Sequence, residues 1–359
     1  MVVRLGARHE GVHVNNDEMC RRLESFLVAV GLAPTVDVDE LTVLTGGYSL
    51  YTARFRATTA TGSATYVVRA DPPGDAALTH TDRVHEWRVL EALTANGTVP
   101  MPNARWADTT GEHLGSPAII LDLVDGPQLL GHLQTVGAAE HRAVALQLAD
   151  TIGAVHRLGA AAVPDTVERP ATWDAYVDTY INGWRELEAS HPERLPFIRW
   201  VAAWLDGHRP PPAPLTLVHG EFQAGNLMLD SHGQMQVIDW EYAHIGDPRV
   251  DLGWFQICAA FSPPDLIGLD PVGFCRRYCD VTGLSEEIVN PLTVGWFAIL
   301  GGYKSFGGLL QGMAAMAAGQ NHLLTSAYLV SAMPFTHRLW RESVRGMETA
   351  LAAQMEAVS

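Results

Sequence analysis

The sequence predicts an α+β fold in two lobes, a small β-rich N-terminal lobe and a larger helical C-terminal lobe. Three observations predict it. Short alternating apolar runs, punctuated by Gly and Pro, crowd the start of the chain. Long segments of helical periodicity dominate after Gly126. One apolar run, "PAIILDLVDG", marks the crossing, with a hinge strand near Leu121–Val124. The N-lobe is assigned to 1–124 and the C-lobe to 125–359, a length that suits two lobes around one cleft.

The elements follow in order. "NNDEMCRRLESFLVAVGL" reads as an amphipathic helix capped at Asn16 or Asp17 and stopped at Gly31. "ELTVLTGG", "SLYTARFRAT" and "ATYVVRAD" read as strands, with a glycine-rich hairpin tip between the first two. "DPPGD" breaks the chain, and "HTDRVHEWRVLEALTAN" is a helix ending at Gly97. "VPMPNARWADT" is extended and proline-marked. "AAEHRAVALQLADTIGAVHRLG" and "WDAYVDTYINGWRELEAS" carry helical periodicity, and "RPPPAPLT" connects them to an apolar run. After "VIDWEYAHIGDP" the remainder is mostly helical.

Composition narrows the function classes. The net charge is −16 and no Lys/Arg-rich run exists, which argues against a nucleic-acid partner. Lys304 is the only lysine, so cationic work near phosphates falls almost wholly to Arg. Four cysteines are too few for a disulfide scaffold, and Cys275 and Cys279 read as small buried apolar residues. "MVVRLGARHEGVHVNNDEM" lacks the apolar core of a signal peptide, and no uncharged apolar run approaches roughly 18 residues. These features predict a cytoplasmic protein with no membrane partner.

The chemistry concentrates in "LTLVHGEFQAGNLMLDSHGQMQVIDWE". "NLMLD" and "QMQVID" flank "SHG", a hairpin turn. Pairing them brings Asn226, opening one strand, near Asp239, closing the other, with Glu221 on the loop just before. An Asn carbonyl and an Asp carboxylate are hard oxygen donors suited to Mg²⁺. A nearby carboxylate that is not a ligand can orient a hydroxyl or accept its proton.

This spacing resembles the aminoglycoside phosphotransferase family, which has a protein-kinase-like fold. The family's catalytic loop, His-Gly-Asp-x-x-x-x-Asn, stands here as "HGEFQAGN", and its metal-binding segment as "VIDWE". "WEYAHIGDPRVDLGW" looks most like the branch that includes phosphotransferase domains attached to some acyl-CoA dehydrogenases. "LTGGYSLYTARF", "YVVRADPPG", "HEWRVLEAL" and "AIILDLVDG" match the family's glycine loop, basic strand, Glu helix and hinge, in order.

The resemblance implies a role for each matched residue. Asp239 would bind Mg²⁺ and Asn226 would assist. Glu221 would face the acceptor hydroxyl. Arg69 would clamp phosphates, held by Glu86. Gly46, Gly47, Tyr48 and Ser49 would cover the phosphates. The backbone of Asp122, Leu123 and Val124 would hold the base of ATP or GTP. His219 would buttress the loop, and Asp247 and Asp251 would brace it or face the acceptor. Two residues depart from the pattern: Glu221 replaces Asp, and Gln223 stands where relatives often carry a cation. The implied partners are a nucleotide and a small-molecule hydroxyl acceptor, an aminoglycoside-like or other hydroxylated metabolite, with a hydroxyacyl-CoA-type metabolite as an alternative. A non-catalytic nucleotide-binding module is the alternative.

Bland readings stand beside these. Asp251 could be a helix N-cap, and His156 and His244 read as satisfied structural histidines. Trp173, Trp184, Trp200 and Trp204 read as packing residues, some of which could line an acceptor pocket. "GGYKS" is not a P-loop, because Tyr303 rather than Gly precedes Lys304. No GxSxG elbow or HExxH pair occurs.

Overall fold

The computed structural model describes residues 16–44, 51–71, 82–190, 196–319 and 323–358. Helix α1 (Asn16–Ala29) leads into β1 (Asp37–Val43), β2 (Tyr51–Thr59) and β3 (Gly62–Ala70). Then come α2 (Arg83–Asn96), β4 (Ala104–Asp108) and β5 (Ala118–Asp122). The five strands form one antiparallel sheet in the order β1-β2-β3-β5-β4. Alternation explains the sheet: Ala53, Phe55 and Ala57 of β2 point inward and pack with Leu23, Phe26 and Leu27 of α1.

Strand β5 ends at Asp122, so Leu123 and Val124 lie just past the sheet rather than within it. The chain then runs through α3 (Leu129–Leu133), α4 (Ala138–Arg157), α5 (Trp173–Ala189) and α6 (Pro196–Gly207). Four short strands follow: β6 (Thr216–Val218), β7 (Leu227–Leu229), β8 (Met235–Val237) and β9 (His244–Gly246). Helices α7 (Arg249–Phe261), α8 (Pro271–Thr282), α9 (Pro291–Ala317) and α10 (Leu323–Val358) complete the C-lobe. No helix of the described residues is long and apolar enough to cross a membrane. The four cysteines are free, with Cys275 and Cys279 buried on α8.

Three apolar clusters hold the architecture. One fills the space between the N-lobe sheet and α1. A second joins α5 and α6 to α7, α9 and α10, and includes Trp184 and Trp204, while Trp173 packs at its edge and Trp200 is exposed. The third spans both lobes, joining Val89, Leu90 and Leu93 of α2 to Leu148 of α4, Val237 and Trp240. Helix α2 therefore belongs as much to the C-lobe as to the sheet. Its terminal signals are local: Asp82 accepts from the amides of Val84 and His85, and Gly97 closes the helix at φ 69°.

Candidate active site

The hairpin β7–β8 pairs Leu227 with Val237 and Leu229 with Met235. Just beyond that register, the Ile238 amide donates to the Asn226 carbonyl at 3.0 Å. Asn226 and Asp239 therefore open and close the same end of one hairpin, as the strand pattern predicts. Both sides of the hairpin are stitched to neighbouring segments. The Val237 amide donates to the Pro100 carbonyl and the Leu229 amide to that of Pro127.

The loop 219–226 is pinned from below. Gly220 adopts φ 81°, and a Cβ there would lie 2.3 Å from the Tyr242 carbonyl oxygen, so only glycine fits. Phe222 is fully buried against Phe255, and burial of such a ring contributes about 1.5–3 kcal/mol. Its neighbours Glu221 and Gln223 are only partly buried. Gln223, with Ala224, Gly225, Phe255 and Cys258, lines a small cleft of about 10 Å³ beside the loop.

His219 ties the loop to the strand that carries Asp239. Its Nε2 donates to the Ile238 carbonyl at 3.0 Å, and its Nδ1 accepts from the Glu221 amide at 3.3 Å. That arrangement requires a neutral ring, and burial lowers the His219 pKa accordingly. Asp251 is wholly buried beneath the same loop. Its carboxylate accepts from the amides of His219 and Gly220, at 2.7 and 2.8 Å, and from His156 Nε2 at 3.0 Å. Burial alone would raise its pKa, but the His156 and His219 contacts outweigh it and hold the group low. Asp251 is not a helix N-cap. Pro248 takes that position on α7, and Asp251 sits within the first turn.

Asp247 is also wholly buried, and its carboxylate is fully used by Arg249 and by Trp173 Nε1 at 2.6 Å. Neither Asp247 nor Asp251 faces open space. His156 also bonds the Tyr278 hydroxyl, and His244 bonds the Tyr242 carbonyl and the Tyr176 hydroxyl, so both histidines are satisfied internally.

Across from the hairpin, Arg69 on β3 donates to Glu86 at 2.6 Å and to Asp239 at 2.5 Å. This guanidinium links the sheet, α2 and the hairpin at one point. Arg83 was not singled out from the sequence, yet it is almost fully buried and grips the other Glu86 oxygen. It also contacts Asp71 at 2.7 Å and Glu241 at 3.4 Å. The signal for Arg83 lay in its spacing, three residues before Glu86 on one helix face. Two guanidinium groups thus meet four carboxylates, those of Asp71, Glu86, Asp239 and Glu241.

The carboxylate excess reaches Glu221. Burial pushes its pKa from 4.5 up to about 7, and Asp239 and Glu241 add to the effect, while Asn226 and Lys304 oppose it. A raised carboxyl pKa means that the folded protein holds a proton the unfolded chain has lost. This group's contribution to stability therefore falls as pH rises from about 4.5 to about 7. Glu221→Gln is expected to raise unfolding free energy by about 1–2 kcal/mol above pH 7, after allowance for solvent at the loop, and to add little below pH 4.5. Thermal melts of both proteins across that range test it. Equal gains at both ends would show that Glu221 is not proton-linked to folding.

The donor set is compatible with a hard divalent cation. Asn226 donates its side-chain amide to the Glu221 carbonyl at 3.0 Å, which leaves its Oδ1 without a partner among the described residues. Asp239 gives Oδ1 to Arg69, and its Oδ2 is likewise unpartnered. No group of three or more His, Cys, Asp or Glu suited to a metal occurs among the described residues. That is compatible with Mg²⁺, which keeps waters and phosphate oxygens and needs only one or two protein carboxylates. Asp239 also adopts φ 71°, a left-handed conformation that costs a non-glycine residue of order 1 kcal/mol.

The backbone groups of Leu123 and Val124 make no protein hydrogen bond among the described residues. The Asp122 side chain is committed to Arg105 and Asn103. Gly46, Gly47, Tyr48 and Ser49 lie outside the described residues.

Comparison with known proteins points the same way. The sequence profile of the phosphotransferase enzyme family matches residues 40–282. Human acyl-CoA dehydrogenase family member 11 is 26% identical over 268 residues, covering 70% of this chain. The chain spans only 34% of that relative's length, and 21% of mouse acyl-CoA dehydrogenase family member 10. A Ralstonia eutropha protein assigned as an aminoglycoside phosphotransferase superposes with a TM-score of 0.68 at 21% identity, covering 91% of this chain and 98% of its own. A thermostable mutant of aminoglycoside phosphotransferase APH(4)-Ia, in ternary complex with ADP and hygromycin B, gives a TM-score of 0.57 at 17% identity, covering 90% and 98%. At these identities the solved structures establish the fold, which is bilobal and protein-kinase-like. With about two thirds of its length inside the family profile, the chain belongs to the phosphotransferase enzyme family.

Proposed function

We propose that the protein is a small-molecule kinase that transfers the γ-phosphate of a magnesium nucleotide to a hydroxyl group. The observation that carries this reading is Arg69 reaching Glu86 and Asp239 at once, opposite the Glu221 loop. A phosphate clamp, a metal-ligand candidate and a carboxylate base candidate thus share one site. Phosphoryl transfer has a loose transition state, so positioning and charge neutralisation dominate its catalysis. ATP is the proposed donor, supported by the ADP complex of APH(4)-Ia.

Mg²⁺, held by Asn226 and Asp239, would neutralise charge on the nucleotide phosphates. The free backbone at Leu123 and Val124 would hold the base. Arg69 would exchange part of its contact with Asp239 for phosphate oxygens, while Glu86 keeps it in place. Glu221 would accept the acceptor's hydroxyl proton as the oxygen bonds to the γ-phosphorus and the bond to the β-phosphate oxygen breaks. Its pKa of about 7 suits that task, since a base works best near ambient pH. Asp247 and Asp251 are proposed to support the loop rather than to touch the acceptor.

An untargeted mass-spectrometric screen of metabolites for ATP-dependent phosphorylation tests this reading. With an acceptor found, kcat/KM is expected to rise with pH through about 7, because the free enzyme must lose the Glu221 proton. Glu221→Asp retracts the carboxylate by roughly 1.5 Å and is expected to lower kcat on the order of 10- to 100-fold. A wild-type protein that binds ATP but phosphorylates nothing, together with a Glu221→Asp variant that gains turnover, would favour a non-catalytic nucleotide-binding module.

A further inference from the structure

The sole lysine lies in "GGYKS", which is not a phosphate loop. Its position in the fold gives it another use. Lys304 projects from α9 toward α5 and α7, and its ammonium lies 5.9 Å from the Tyr180 ring centroid and 5.7 Å from that of Trp254. These are cation–π distances. Among the described residues it has no hydrogen-bond or salt-bridge partner. The side chain is exposed, yet surrounding protein desolvates it enough to lower its pKa. An accessible side chain inside a concave wall has that combination.

Helix α7 shows which wall. Glu221 and, less strongly, Asp251 favour the Lys304 charge against the desolvation that lowers its pKa. Trp254 and Phe255 are adjacent on α7: the Lys304 ammonium lies over the Trp254 ring and Phe255 packs on Phe222, so α7 joins the surroundings of Lys304 to the 219–226 loop. Cys258 of α7 lines the same small cleft as Gln223, Ala224 and Gly225, which places the loop beside α7. Gly253 lets α7 and α9 close up, since a Cβ there would meet the Ala298 backbone nitrogen at 2.5 Å. The surroundings are aromatic: Tyr180 packs edge-on to Tyr303 at 5.8 Å, and the indole nitrogen of Trp254 is buried without a partner among the described residues.

We propose that Lys304 is the specificity-determining cation of the acceptor site, selecting a hydroxylated substrate that carries an anionic group, carboxylate or phosphate, beside an apolar body. This rests on the kinase reading and names the acceptor's charge class. The aromatic faces that would attract a cationic acceptor are already occupied by the protein's own ammonium. An anionic acceptor would meet an ammonium that has no hydrogen-bond or salt-bridge partner among the described residues, set in an aromatic wall. A cationic acceptor would bring a second positive charge onto the same faces.

Because the chain has one lysine, occupancy can be read without turnover. The wild-type protein is reductively methylated in the presence of hydroxycarboxylates, hydroxyalkyl phosphates, matched neutral hydroxyamides or an aminoglycoside, and Lys304 labelling is measured by peptide mass spectrometry. Protection by one or both anionic sets, and not by the neutral or cationic ones, is expected, and the two anionic arms separate carboxylate from phosphate. In turnover assays, Lys304→Met is expected to raise KM for the anionic acceptor on the order of 10- to 100-fold, with kcat reduced much less and nucleotide KM unmoved. Lys304→Arg is expected to recover part of the loss. Equal or better protection by neutral or cationic compounds overturns the proposal. So does a Lys304→Met loss confined to kcat and equal for all acceptors, which would make Lys304 a cation for the transferring phosphate. Protection without any turnover would leave the acceptor site standing and defeat the kinase reading alone.

Discussion

Asp239→Asn is expected to lower phosphoryl transfer on the order of a thousandfold, with the fold intact. The substitution removes a carboxylate at the hairpin end that has one oxygen without a partner among the described residues and a guanidinium on the other. Metal-borne charge stabilisation is worth several kcal/mol, and each 1.4 kcal/mol is about tenfold in rate. Asn also suits the backbone, because it tolerates the left-handed conformation seen at φ 71°. Its side-chain oxygen can still accept from Arg69. Circular dichroism and thermal melts should match wild type, while turnover and Mg²⁺ affinity fall. Unchanged turnover would show that Asp239 is not the metal residue.

Glu86→Ala is expected to be the most destabilising single change at the site. Glu86 is 1% exposed and separates two guanidinium groups, those of Arg69 and Arg83, both buried. Removing it leaves two like charges facing each other without their shared partner. Breaking a buried pair by deleting one member costs about 3–5 kcal/mol. For a chain of this size that corresponds to a fall in Tm on the order of 10 °C. Glu86→Gln keeps the shape and one acceptor and should lose less. Nucleotide KM should rise in both, since Arg69 loses the group that holds it. A loss below about 1 kcal/mol in Glu86→Ala would mean that solvent reaches these guanidiniums and that the network is not a buried one.

The readability of the sequence varied with the range of the interactions involved. The hairpin holding Asn226 and Asp239 was legible because period-two strands around Ser-His-Gly encode their own register. The helix ending at Gly97 was legible for the same local reason. Asp251 stays open in the sequence, between a loop brace, an acceptor contact and a cap, because a local rule competes with a distant partner. Its position ahead of an apolar helix suggested a cap, but His156 on α4 and the amides of His219 and Gly220 claim its oxygens. Arg83 was overlooked because nothing local distinguishes a buried charged helix face from a solvated one. Lys304 was conspicuous in composition but silent in meaning, because Tyr180 and Trp254 reach it from two other helices. The wall of α5, α7 and α9 exists only after folding.

Asp251 also governs how the protein can move. A loop between short strands would ordinarily open on its own, many times per second, exchanging its amide hydrogens with water. Here the amides of His219 and Gly220 end on a carboxylate with no exposed surface, fastened in turn to α4. Freeing either amide leaves buried charge unpaired, so the loop shares the opening free energy of the C-lobe core. The joint beyond β5 has no such anchor: the backbone groups of Leu123 and Val124 have no protein partner among the described residues.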